Sequence, residues 1–437
     1  MIENFLVLTL ILTDTLMIAM WGGAPAVAAT AAAGHVLWRV SMTFGCVDRG
    51  TTALVARAIG EGNRSKADLA LKQSLLQAIT LGVVLTVLGW YGAPSLLSVL
   101  GTPAEVLPQA APYLQLLFLG TVPRMVMAVS SAAIRGAGDT RTPMFVSLAM
   151  NGVNVVANAI LIFGLPAVPG LGFGGWNGLG LVGCAIGTTL AQGFAAVALL
   201  TILSREKLPV GLSRADWKPH WRTQKSLGRI SLPAAGEEMI MTIGFSCFFA
   251  FVALLGTEAM AAHTISTRVE ALAFMPAFGF AVAASTLVGQ SLGAANPKRA
   301  VEALRRCAWA CTGFMALAGL TLILFGELVV RLFLSDNPEV EGLARTLLLM
   351  AAIQQPILGL VMILGGGLRG AGDTIRPMVS SLLGNLVVRV GVCYLLAFPL
   401  GFGIYGIYAG TLLDWLARGV VLTYFVNRGH WLNTKIR

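Results

Sequence analysis

A helix needs about 20 mostly apolar residues to cross the hydrocarbon core of a bilayer. Along this 437-residue chain such stretches follow one another twelve times. They run roughly over 2–21, 33–58, 67–92, 109–134, 143–165 and 181–204, then over 228–256, 262–291, 300–328, 343–368, 376–399 and 405–426. The longest hydrophilic break, 205–227, separates six from six. The expected organisation is a first lobe over 1–204, a linker over 205–227, a second lobe over 228–426 and a tail over 427–437. Hydrophobic residues make up 56% of the chain and charged residues only 11%, against roughly 25% charged in soluble domains. A water-soluble fold could not bury that much apolar side chain, which excludes a cytosolic enzyme, a nucleic-acid reader and a secreted module. The fold class is an all-α polytopic membrane protein of twelve transmembrane helices.

The first stretch is not expected to be a cleavable signal. No Lys or Arg precedes it, and Glu3 and Asp14 interrupt it, so it reads as a retained span. Most of the 30 basic residues collect on one side of this topology, while the loops on the other side hold only Arg331 and Arg345. Basic residues gather on the cytoplasmic side, so both termini are expected inside. The net charge of +10 reflects this sorting rather than a nucleic-acid partner. The six cysteines all lie in apolar stretches without metal spacing, and no bound metal is expected.

The chain repeats itself. Residues 135–144 read RGAGDTRTPM and residues 369–378 read RGAGDTIRPM. A second pair, AIGEGNRSKA from residue 58 and SLGAANPKRA from residue 291, has nearly the same offset. Two matching offsets indicate a duplicated six-span unit. An even number of spans returns the second copy to the same orientation, a parallel repeat. Ile2-Glu3-Asn4 aligns with Glu237-Glu238-Met239, so the first helix is expected to begin part-way into its repeat unit. In the repeated loops, Gly136 and Gly370 are expected to take left-handed helix caps. Asp139, Asp373, Asn63 and Asn296 are expected to cap the helices that follow.

A carboxylate at mid-bilayer costs about 2.5–3.5 kcal/mol on insertion scales and marks a functional candidate. Asp14 is the strongest, lying mid-span with no basic residue within a turn or two. A carboxyl so placed can load and unload a proton. Asn154 and Asn158 share one helical face, and Thr188 lies on the next helix. Two readings stand for the asparagines, a cation site or an interhelical hydrogen-bond pair. In the second half, Glu237 and Glu238 either reach a substrate cleft or sit near the inner surface beside Arg229. Gln354 and Gln355, next to Pro356, are candidates to line the same cleft. Arg268 and Glu270 either pair or line it. Phe274 is a candidate to stack on planar cations. Asp414 and Arg418, four residues apart, read as a pair.

Taken together, DTLMIA at 14–19, TTALVARAIGEGNRSKA at 51–67, SLPAAGEE at 231–238, STLVGQSLGAANPKRA at 285–300 and both RGAGDT loops resemble the multidrug and toxic compound extrusion (MATE) transporters, bacterial branch. The resemblance covers nearly the whole chain. It implies two six-helix lobes, export of organic cations or other lipophilic drugs in exchange for H⁺ or Na⁺, and residence in the bacterial cytoplasmic membrane. It also implies a cation site at Asp14, Asn154, position 158 and Thr188. Asn158 stands where some members carry a second aspartate, which weakens Na⁺ chelation and favours a proton. The expected partners are a small-molecule substrate and the bilayer, with no cofactor beyond the coupling ion, no nucleic acid, and a monomeric state. A lipid-linked precursor flippase is the alternative, which Arg39, Arg49 and Arg268 leave open. A membrane-embedded prenyl- or phospho-transferase would need clustered acids that the inner loops lack.

Overall fold

A computed structural model describes residues 2–99, 101–165, 176–205, 207–212, 217–333 and 338–434. Residues 206 and 213–216 of the expected linker, and 435–437 of the expected tail, lie outside the described residues. In the first half the helices are α1 (Ile2–Phe44), α2 (Val47–Gly60), α3 (Arg64–Val99), α4 (Leu107–Leu119), α5 (Thr121–Gly136), α6 (Arg141–Phe163) and α7 (Leu181–Ser204). In the second half they are α8 (Trp221–Leu254), α9 (Thr257–Gly293), α10 (Pro297–Phe333), α11 (Pro338–Gly370), α12 (Ile375–Ser381), α13 (Gly391–Ala397) and α14 (Gly403–Asn427). A π-helical segment, Leu382–Val390, joins α12 to α13. Two two-residue strands, β1 (Gly164–Leu165) and β2 (Trp176–Asn177), pair antiparallel between α6 and α7.

The helices resolve into twelve crossings. Thr9–Gly60 is a single apolar run of 52 residues, ~78 Å long at ~1.5 Å per residue, more than twice the hydrocarbon thickness. It bends at Gly23, whose φ of 63° and ψ of −154° are not helical, and turns at 45–46 between α1 and α2. It therefore supplies two spans. α4 and α5 meet at an angle of 47° and supply one span between them.

The chain divides into two compact units, one of residues 2–59 and 63–228, the other of 60–62 and 229–437. Each has its own apolar cores. In the first, Leu71, Leu75, Ile134 and Leu203 form one cluster and Ile18, Leu114 and Phe118 another. In the second, Leu304, Met315 and Leu368 form one, and Val252, Leu347 and Ile407 another. Large apolar side chains on the outer helix faces, such as Leu88, Val197, Leu324 and Val420, are exposed. That is the expected arrangement where the solvent is lipid.

The repeated loops build the same local devices in each unit. Asn63 Oδ1 accepts from Lys66 N–H at 3.0 Å, and Asn296 Oδ1 from Arg299 N–H at 3.0 Å. Asp139 Oδ1 accepts from the N–H groups of Arg141 (2.9 Å) and Thr142 (3.1 Å), starting α6. Asp373 accepts from Arg376 N–H at 3.4 Å and pairs with its guanidinium. The glycines differ from the sequence expectation. Gly138 (φ 98°) and Gly372 (φ 84°) take the left-handed backbone, not Gly136 and Gly370. The latter two end their helices where a Cβ would press on a neighbouring backbone. It would lie 3.1 Å from Thr52 O at Gly136 and 2.1 Å from Ser285 O at Gly370.

The hydrophilic segment after α7 is strapped to α3. Gly211 N–H donates to Asp68 Oδ1 at 2.7 Å. Buried Gln73 donates to Lys218 O (2.9 Å) and accepts from His220 N–H (2.9 Å). Gln224 donates to Gln73 at 3.0 Å. α8 begins at Trp221, seven residues ahead of the expected span start at 228, because this strap carries the chain directly into a helix. Each such hydrogen bond contributes about 0.5–1.5 kcal/mol net. Gln73→Leu is expected to release the strap and to raise the rate of tryptic cleavage between residues 205 and 225 by about tenfold, read on intact protein in detergent.

Candidate functional site

Asp14 sits half-buried on α1, nine residues before the bend at Gly23. Three neutral side chains from two other helices converge on it. Asn158 Nδ2, from α6, donates to Asp14 Oδ1 at 2.6 Å. Thr188 Oγ1, from α7, donates to Asp14 Oδ2 at 3.3 Å. Asn154, one turn before Asn158, donates to Thr188 Oγ1 at 3.3 Å, and its own Oδ1 accepts from Asn158 Nδ2 at 3.3 Å. Both asparagines are 0% exposed. The four residues expected from the sequence are thus one cluster: the two asparagines bond each other, Asn158 bonds Asp14, and Asn154 reaches it through Thr188.

Backbone geometry permits the convergence. Gly187 lies one residue before Thr188, and a Cβ there would stand 2.1 Å from Asn158 Oδ1. Glycine lets α7 approach α6 closely enough for both helices to reach α1. The small residues that line membrane helix contacts commonly serve this purpose.

The cluster extends to two residues that sequence reasoning missed. Cys184 Sγ lies 4.0 Å from Asn158 Nδ2 and 3.9 Å from the Tyr113 hydroxyl. Cys184 stands four residues before Thr188 and so on the same helical face, a spacing that was available from the sequence. Nothing local in the sequence pointed to Tyr113, which comes from α4.

In chemical terms the cluster is one carboxylate surrounded by groups that both donate and accept. An amide and a hydroxyl donate to an ionised Asp14, and after rotation they accept from its protonated form. Asn158 Oδ1 is buried and has no hydrogen-bond partner in the present arrangement, so an acceptor is at hand. No group of three or more His, Cys, Asp or Glu side chains with metal-binding geometry exists among the described residues. A single carboxylate with amide oxygens is a poor divalent-metal site.

The second-half candidates do not form one cluster. Glu237 is tied inside its own unit: Arg369 Nη1 donates to both carboxylate oxygens at 3.0 Å, and Ser381 Oγ to Oε1 at 3.2 Å. That clamp joins α8, α11 and α12. Glu238 is half-buried beside it. Gln354 and Gln355 both donate to Glu270 Oε1, at 2.8 and 3.2 Å. Arg268, two residues away on α9, is exposed and does not pair with Glu270. Phe274 is half-buried and packs on Phe278, with ring centroids 5.8 Å apart. Asp414 and Arg418 do pair, at 2.7 and 2.8 Å, and Arg389 from the π-helical segment joins the same carboxylate at 2.7 Å.

Two halves that repeat the same elements, one with a lone acid held by neutral donors, are set beside known proteins as follows. A family model described as MatE matches residues 1–160 and 233–395. The chain is a member of the MATE family. It is 30% identical over 429 residues to the "Probable multidrug resistance protein NorM" of Thermotoga maritima, covering 98% of this chain and 90% of that one. It is 24% identical to the "Uncharacterized transporter YisQ" of Bacillus subtilis, covering 94% and 88%. Among solved structures it superposes on "Crystal structure of MATE in the bent conformation" with a TM-score of 0.88 at 22% identity, covering 99% of this chain and 93% of that one. An "Outward-facing conformation of a multidrug resistance MATE family transporter of the MOP superfamily" gives 0.88 at 21% identity, covering 99% and 94%. The protein is a multi-pass membrane protein of a transporter family, not an enzyme.

Gly187→Ala would place a methyl against the Asn158 amide and push it from Asp14. It is expected to lower transport by about tenfold or more. Gly193→Ala lies on the same helix, where an added Cβ meets nothing within 4 Å, and is expected to transport within about twofold of wild type. Uptake assays in vesicles of matched protein content read both.

Proposed function

We propose that this MATE-family protein is a multidrug efflux antiporter that exports lipophilic organic cations or similar drugs in exchange for protons. Asp14 is the group at which proton and substrate compete. The relatives named for multidrug resistance support the substrate class. The observation that carries the coupling reading is the surround of Asp14: both carboxylate oxygens are held by neutral groups. Among the described residues, no guanidinium or ammonium pairs with this carboxylate to fix it in its charged form. An ion-paired acid would stay ionised through the cycle, whereas an acid among amides and hydroxyls can change state.

The proposed cycle has three steps. Ionised Asp14 accepts a cationic substrate. A proton arriving from outside neutralises the carboxylate and releases the cation. The neutral carrier then resets by alternating access, with the two six-helix units as the moving bodies, and Asp14 releases its proton to the inside. Asn158, Asn154 and Thr188 act as positioning residues, turning from donors to acceptors as Asp14 takes its proton. Sodium is the less suitable coupling ion because only one carboxylate is present. The proposal includes a monomer in the bacterial cytoplasmic membrane with both termini inside, following the distribution of Lys and Arg. Glu237, Glu238, Arg268, Gln354, Gln355 and Phe274 remain proposed contributors to the substrate path, with Glu270 as the carboxylate that the two glutamines present.

The test is drug accumulation in proteoliposomes with ΔpH and ΔpNa imposed separately. Wild-type protein is expected to respond to ΔpH and to ignore ΔpNa. Asp14→Asn is expected to reduce ΔpH-driven accumulation by at least about tenfold while the protein folds and inserts. Uphill accumulation by Asp14→Asn under ΔpH alone defeats the coupling reading, and a response of wild type to ΔpNa replaces the ion.

A further inference from the structure

The first unit contains a second charged group inside the membrane, and it is a cation. Arg124 lies in the first turn of α5, about half-way along the span formed by α4 and α5. Its Nε donates to Gln192 Oε1 at 3.3 Å, and its Nη1 donates to Ser41 Oγ at 3.1 Å. Both partners are neutral, and no carboxylate among the described residues pairs with it. A cation held mid-span without a counter-charge is costly and marks a functional site by default.

The span breaks next to it. Gly120 separates α4 from α5, and the ladder of α5 starts with Arg124 N–H donating to Gly120 O at 3.1 Å. The N–H groups of Thr121 and Val122 therefore head a 16-residue helix inside the bilayer. Such an end carries a partial positive charge and favours anions. Discontinuous membrane helices commonly present these ends to anionic groups of a substrate. Thr121 adds a second, independent pointer: it is 4% exposed, and its hydroxyl has no hydrogen-bond partner. Three residues before Arg124, it lies on the same face of α5. A guanidinium, a helix end and an unpartnered buried hydroxyl thus lie within one turn of one helix.

The position relative to Asp14 can be read along α7. Thr188 bonds Asp14, and Gln192 bonds Arg124. Four residues separate them, one turn on the same face and ~6 Å of rise. A Cβ on Gly120 would stand 2.9 Å from Thr189 Oγ1 and 3.3 Å from Gln192 Oε1, so the helix break lies directly against that polar lane.

We infer that Thr121 and Arg124, at the break in the fourth span, form a carboxylate subsite, and that the first unit takes zwitterionic substrates whose ammonium lies toward Asp14 and whose carboxylate lies at Arg124. The ammonium end rests on the reading of Asp14 given above; the carboxylate end stands on the helix break. Arg124 offers the planar fork that binds carboxylates through two parallel hydrogen bonds, and Thr121 supplies a further donor. A substrate with no anion meets an uncompensated positive charge one turn from its own. The subsite therefore sets specificity between amphoteric and purely cationic compounds.

The experiment compares an aromatic amine bearing a free carboxylate with its methyl ester, a monocation of nearly the same shape. Dissociation constants of both are measured on purified full-length protein in nanodiscs at one pH. The quantity read is the ratio of acid Kd to ester Kd. Arg124→Gln is expected to raise that ratio by at least about tenfold over wild type. Thr121→Val is expected to raise it by about threefold, and Arg124→Lys, which keeps a point charge, to hold it within about threefold of wild type. A ratio for Arg124→Gln within about twofold of wild type overturns the subsite, as does a wild-type protein that binds the acid more than about 100-fold more weakly than the ester. Should Arg124→Gln fail to fold, the Thr121→Val ratio decides alone: unchanged, it overturns the subsite. These readouts are of binding and need no gradient. If Asp14→Asn vesicles still pump uphill while the Arg124→Gln ratio shifts, the coupling reading falls and the carboxylate subsite stands.

Discussion

Lipid offers no hydrogen bonds. Every polar group that this chain carries into the bilayer must find its partner within the protein, and the structure is organised by where those partners are. Buried polar side chains occur along many of the helices, and some of them gather several intramembrane charges into tight groups. In the first unit they are Asp14 with its amides and hydroxyl, and Arg124 with Ser41 and Gln192. In the second they are Glu237 with Arg369 and Ser381, Glu270 with two glutamines, and Asp414 with two arginines.

These groups are of two chemical kinds. In the second unit, Glu237 and Asp414 are acids fixed by guanidinium groups. Removing one partner from such a pair leaves an uncompensated buried charge, so each ties its helices together through the whole cycle. Asp14, Glu270 and Arg124 have neutral partners only among their hydrogen bonds. A charge held by dipoles alone has lower cost when it gains a mobile counterpart, a proton, a cation or an anion. In the proposed cycle the paired charges serve as scaffold and those held by dipoles as working groups. Thr188, which bonds Asp14, and Gln192, which bonds Arg124, stand one turn apart on α7.

Much of this was legible in the sequence. Hydropathy located most span ends to within about seven residues, but the expected break at 22–32 is helical, and α1 runs on past its bend at Gly23 to Phe44. The RGAGDT repeat gave the duplication, and the capping roles of Asp139, Asp373, Asn63 and Asn296 follow from side-chain chemistry at fixed offsets. The cluster at Asp14 was legible through the resemblance to a family, since Asp14 lies 144 residues from Asn158 and 174 from Thr188. Other assignments missed because they depend on tertiary packing. Gly136 and Gly370 are required for close helix approach, while the positive φ falls two residues later, at Gly138 and Gly372. The pairing of Glu237 with Arg369 likewise depends on α11 being packed beside α8. Tyr113 and Arg389 carry no local signal, because their significance lies in what another helix places beside them.

The sequence by itself determined that the chain spans a membrane twelve times, in two copies of one unit, with an isolated acid in its first helix. Those properties depend on hydrophobicity, length and spacing, which are additive along a chain. Only the tertiary structure decided which charges are paired and which are held by neutral dipoles. A hydrogen bond needs a donor and an acceptor within about 3 Å, and that distance is set by helices brought together from far apart in the chain.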